Sequence, residues 1–111
     1  MLRRPDLELV VPALVIAEVS YLLMTRHSAA IEADFIRRLA IEVEVEAPLP
    51  SEWPLIADLV ERYGDFPLGA TDASVAVLAE RLGTDLITTL DQRHFRTLRM
   101  SNGRPFRLLP E

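Results

Sequence analysis

The chain has 111 residues, 50% of them apolar and 26% charged, which is room for one globular domain with a proper core and excludes a disordered tail. It contains no cysteine, so a disulfide framework, a thiolate metal site and a cysteine nucleophile are all excluded. The 12 positive charges, all arginine, stand against 17 acids; the net charge of −5 argues against a general basic nucleic-acid coat.

Arg3 and Arg4 ahead of the apolar run Leu9–Ala17 invite comparison with a signal peptide. Asp6 and Glu8 interrupt that pattern, Pro12 splits it, and Glu18 ends it without a small-residue cleavage site. No uncharged run approaches the ~18 residues that a membrane helix needs. The reading is a soluble, cytoplasmic chain.

Leu7–Val11 reads as a buried strand. Pro12 stops it and suits the first turn of a helix over Ala13–Arg26, which is apolar nearly all round. Ser28 suits the N-cap of a second helix, Ala29–Leu39, with Ile31, Phe35, Ile36 and Leu39 on one face. Glu42–Ala47 alternates, with Val43 and Val45 facing the core and Glu42, Glu44 and Glu46 facing solvent, as on an edge strand.

Pro50-Ser51-Glu52 opens a helix that runs to Tyr63 and stops at Gly64, and Asp65–Gly69 is a loop. Thr71-Asp72 caps a helix to Leu82, with Gly83 as its C′ residue. Asp85–Leu90 is another buried strand, Asp91–Leu98 a short helical turn, and Phe106–Leu109 a final strand. The order β-α-α-β-α-α-β-(α)-β predicts an α/β fold: a three-layer α/β/α sandwich around a short parallel sheet, in a single domain over residues 1–111.

In such a fold, ligands bind at the edge where the strands end. A helix of about 11 residues from Asp72 descends ~16 Å, and the strand after it climbs back ~20 Å. Asp91 therefore returns to the level of Asp72. Glu18, in the second turn of the helix after the first strand, lies within ~8 Å of the same edge. Asp72 and Asp91 also suit plain capping roles. Glu18, the one charge between Leu9 and Met24, reads as a buried carboxylate that needs a partner or a metal, with a solvent-facing position as the alternative.

Clustered carboxylates repel, and a hard divalent cation relieves them; oxygen-only ligands suit Mg²⁺ or Mn²⁺. Such a metal polarises a phosphoryl oxygen and acidifies a bound water, the chemistry of phosphodiester hydrolysis.

The residues that carry these acids resemble a known family. Val10–Val19, Gly69–Ala79 and Leu86–Phe95 look like the acidic motifs of PIN-domain nucleases, in the order and spacing of the VapC toxins of bacterial toxin–antitoxin pairs. The resemblance spans about Leu2 to Pro110. It implies an endoribonuclease dependent on Mg²⁺ or Mn²⁺, with Glu18, Asp72 and Asp91 as catalytic metal-site acids. It also implies an RNA substrate, neutralisation by a VapB-type antitoxin whose tail fills the groove, and a homodimer.

The family opens with an apolar strand ending in Asp-Thr or Asp-Ser and then a helix, and Met1 aligns near the end of that helix. On this alignment the PIN-like domain is N-terminally truncated. It lacks its central strand and first aspartate, and two apolar strand edges stand unpaired. Asp6 precedes its strand and so lies at the opposite edge. Gln92-Arg93 stands where some relatives carry another acid.

Arg93, Arg96, Arg99, Arg104 and Arg107 against Glu111 give the last 19 residues a net charge of +4. Arg93 and Arg96, near Asp91, are candidates to contact RNA phosphates or the antitoxin; a solvated face on an irregular tail accounts for them equally well. His27 and His94 read as surface or turn residues, and Trp53, Tyr21 and Phe66 as packing for the core or a dimer face. Besides the ribonuclease, two readings stand: a non-catalytic PIN-like remnant that binds antitoxin or RNA, and a fragment that does not fold alone.

Overall fold

The strands of this computed structural model, which describes residues 2–3, 9–65, 68–88, 95–96 and 98–109, share one sheet. They are β1 (Leu2–Arg3), β2 (Leu9–Pro12), β3 (Glu44–Glu46), β4 (Leu86–Thr88) and β5 (Arg107–Leu109), in the spatial order β3-β2-β1-β4-β5. β2 is parallel to β3, and β4 to β5. β1 is antiparallel to both of its neighbours. The two reversals cancel, so β2, β3, β4 and β5 all point the same way and end at one edge.

The centre of the sheet departs from the expected unpaired slot. Leu2 stands opposite both Val10 and Ile87, so β1 bridges β2 and β4. Val10 and Ile87 are fully buried, and backbone polar groups beside them need partners. The antiparallel pair with β2, Leu2 to Val10 and Arg3 to Leu9, supplies partners there.

Helix α1 (Ala13–Arg26) begins directly after β2, and α2 (Ala29–Glu42) follows it. Pro12 remains in the strand, paired with Glu46, at φ −64° and ψ 138°. It stops β2 because its ring nitrogen has no proton to donate. Ser28 caps α2 as expected: its Oγ accepts the Ile31 N–H at 3.2 Å. α2 runs one turn further than its apolar spacing predicts.

Neither α1 nor α2 contains a fully buried residue, although α1 is apolar almost all round. The two helices pack mainly on each other, which leaves Tyr21, Leu22 and Met24 exposed. Tyr21 is 62% exposed and Trp53 50%, so neither is a core residue.

The faces of β3 are the reverse of those expected. Val45 is exposed, while Glu44 and Glu46 are half-buried. Arg81 pairs with the Glu46 carboxylate at 3.4 Å, which offsets the cost of its partial burial. A 3₁₀ turn over Pro50–Glu52 then leads into α3 (Trp53–Arg62), which buries Ile56 against α4 (Ala70–Arg81).

α4 is the central element. Every residue from Ala73 to Ala79 is buried. Its small residues Ala73, Ser74, Ala76 and Ala79 let neighbouring elements approach closely, and Val10, Ile87, Leu98 and Phe106 complete the core around it.

Candidate active site

The end of α4 determines where its start lies. Gly83 adopts φ +70°, its N–H donates to the Glu80 carbonyl at 3.0 Å, and the Thr84 N–H donates to the Ala79 carbonyl at 3.0 Å. These are the paired bonds of a Schellman motif. The Thr84 Oγ1 then accepts the Leu86 N–H at 3.1 Å, so β4 starts at once. Helix and strand are therefore tightly reversed, and the 12 residues of α4 carry its start ~18 Å back toward the end of the sheet. Pro12, the last residue of β2, borders the same small cavity as Ser74 and Val77 of α4. The middle of α4 thus stands by the carboxyl end of β2.

Asp72 occupies that first turn and is half-buried. It is not the cap expected of Thr71-Asp72: Gly69 is the N-cap, and α4 begins at Ala70. Ser74 is buried and turns its hydroxyl to the Thr71 carbonyl at 2.6 Å, which fixes this turn further. The positive end of the helix dipole favours a carboxylate at Asp72.

Glu18 is the sixth residue of α1, ~8 Å below the end of β2. It is exposed, not buried as its apolar surroundings in the sequence suggested. The physical reason is that α1 packs on α2 and against α4 without being enclosed. An exposed carboxylate has no burial cost to offset, and it remains accessible to a solvent-borne ligand. The structure therefore places two of the three expected acids, Glu18 and Asp72, on helices that pack together near the carboxyl edge.

The third, Asp91, lies outside the described residues, as do Arg93, His94 and Phe66. Thr88, three positions before Asp91, ends β4 at the shared carboxyl edge. Among the described residues, no three acids or histidines approach closely enough to hold a metal ion. The fit to a divalent cation rests on donor chemistry: two carboxylates from neighbouring helices, which is what Mg²⁺ or Mn²⁺ takes.

The arginine-rich end is partly neutralised. Arg107 Nε donates to Asp85 Oδ1 at 2.6 Å. Arg99 Nη1 donates to the carbonyl of Arg96 at 2.6 Å, while the Arg96 side chain is exposed.

Sequence reasoning missed a polar cluster. Glu52 is only 6% exposed; its Oε1 accepts the Leu49 N–H at 2.7 Å, and its Oε2 accepts Arg81 Nε at 3.0 Å. The first bond is the glutamate half of a capping box, and with Leu49 at the N-cap position no Ser or Thr marks it in the sequence. The Arg81 contact crosses 29 positions and left no local signal.

These geometries describe an α/β chain with a short, mostly parallel sheet and acids on neighbouring helices, the layout of a PIN domain. The PIN-domain family model matches residues 2–99. The chain is also 39% identical over 103 residues to Ribonuclease VapC26 of Mycobacterium tuberculosis (strain ATCC 25618 / H37Rv), covering 92% of this chain and 76% of that relative. The chain therefore belongs to the PIN-domain family, in its VapC branch. Among the described residues, no helix is long and apolar enough to cross a membrane.

Proposed function

We propose that the protein is a metal-dependent endoribonuclease of the VapC toxin type, built as one three-layer α/β/α domain. The observation that supports this reading is the packing of α1, which carries Glu18, against α4, which carries Asp72. The likeness to a protein named as a ribonuclease supports the same activity. Glu18, Asp72 and Asp91 would hold Mg²⁺ or Mn²⁺. The bound ion would polarise the phosphoryl oxygen and lower the pKa of the attacking water.

The protein's own part is positional. Asp72 lies in the first turn of α4, where the helix dipole favours negative charge. Glu18 completes the pair from an open helix face that RNA can reach. Arg93 and Arg96 sit in the chain beside Asp91, where guanidinium groups match phosphate oxygens. A VapB-type antitoxin would neutralise the enzyme by filling this groove. The family reading also carries a cytoplasmic location and a homodimer.

The test is cleavage of a labelled RNA by the purified chain with Mg²⁺ or Mn²⁺, with EDTA as control. Metal-dependent cleavage that disappears in Asp72→Asn is the expected result. RNA or antitoxin binding without any cleavage would replace the enzyme with a non-catalytic binding protein.

A further inference from the structure

We infer that Arg81 is a positioning residue that sets the placement of α4, and through it the geometry at Asp72. This rests on the metal-site reading above. The guanidinium makes three separate contacts: Nε to Glu52 Oε2 at 3.0 Å, Nη1 to Glu46 Oε2 at 3.4 Å, and Nη2 to the Ala47 carbonyl at 2.9 Å. Glu52 is buried, and its second oxygen accepts the Leu49 N–H. One side chain thus joins the end of α4 to the end of β3, the loop after it and the turn that opens α3.

The contacts define an orientation as well as an attraction. A guanidinium is planar and its donors are fixed relative to one another. Three acceptors in different directions therefore restrict both the rotation of α4 about its axis and its slide along the sheet. The polar contacts add to the packing of Val75, Val77 and Leu78, since Ala73, Ala76 and Ala79 on the same helix interlock little with their neighbours. Asp72 lies nine residues earlier on the same helix, ~14 Å along the axis. A rigid helix transmits a rotation at Arg81 to Asp72. Glu18 stands on α1, so its distance from Asp72 depends on where α4 sits.

A purely structural role predicts that metal binding follows stability; a positioning role predicts that the two separate. Arg81→Met leaves the buried Glu52 without its cationic partner, which destabilises the fold. Adding Glu52→Gln removes the unpaired charge but cannot rebuild the three-way contact. The measurement is Mn²⁺ binding by electron paramagnetic resonance on the full chain, beside the urea midpoint of each variant.

The expected result is a drop of ~2–30-fold in Mn²⁺ affinity for R81M. The E52Q/R81M chain should recover part of the lost stability without recovering that affinity, and R81K should fall between wild type and R81M. Affinity that recovers together with stability, or never falls in folded R81M, would overturn the inference. If wild type itself binds no Mn²⁺, the metal-site reading fails and the inference with it. If wild type binds and every folded variant binds equally, only the inference fails.

Discussion

The Thr84 N–H donates to the Ala79 carbonyl at 3.0 Å, and this bond closes α4 one residue past Gly83. It lets β4 begin at Leu86, so the helix and the strand form one tight reversal. The position of Asp72 relative to β4 follows from that reversal and the length of α4.

Gly83 adopts φ +70°, and a Cβ there would meet no atom within 4 Å. Gly83→Ala is therefore strained in its backbone without any clash. The expected loss is about 1 kcal/mol, read from urea unfolding. An unchanged midpoint would show that the left-handed turn contributes nothing to this reversal.

Metal binding should stabilise the fold, because the carboxylates are assembled only in the native state. At a Mn²⁺ concentration of about 100 times Kd, the gain is ~2.7 kcal/mol. Thermal unfolding with and without Mn²⁺ measures it. The increment should vanish in Asp72→Asn and shrink in Glu18→Gln, and an increment unaltered by both would place the ion elsewhere.

Ile87 is fully buried at the middle of the sheet and stands opposite Leu2 and Leu108. Ile87→Val should cost about 0.5–1.5 kcal/mol and Ile87→Ala about 2–5 kcal/mol. Chemical denaturation checks both. A small cost for alanine would mean that β4 can collapse onto its neighbours.

Ser28 accepts the Ile31 N–H and starts α2. Ser28→Ala should cost ~1 kcal/mol, whereas Ser28→Gly should cost only a few tenths. Equal losses for the two would assign the effect to something other than the cap.

The course of the helices was largely legible. Pro12, Ser28, Gly64 and Gly83 punctuate the chain, and the structure puts α1 to α4 close to the positions they mark. Helix signals are local, carried by capping groups and by residues that cannot continue a helix. The start of α4 was misread by two to three residues because Thr71-Asp72 looks like a cap, while Gly69 performs that task through its backbone. The faces of β3 were misread for a different reason. Alternation shows that Val45 and the glutamates oppose one another, but not which side meets the protein. Glu46 pairs with Arg81, 35 positions away, which alternation alone does not reveal.

The sequence alone determined the order of the elements, the absence of thiol chemistry and the run of acids at Glu18, Asp72 and Asp91, since residue type and spacing are sufficient for each. Tertiary structure alone decided that Leu2 and Arg3 enter the sheet between β2 and β4, that Glu18 is open to solvent, and that Glu52 is buried against Arg81. Each of those depends on what covers a segment rather than on the segment itself. A chain's periodicity specifies its apolar faces, but the cost of burying a charge or leaving a strand edge unpaired is settled only when distant segments meet.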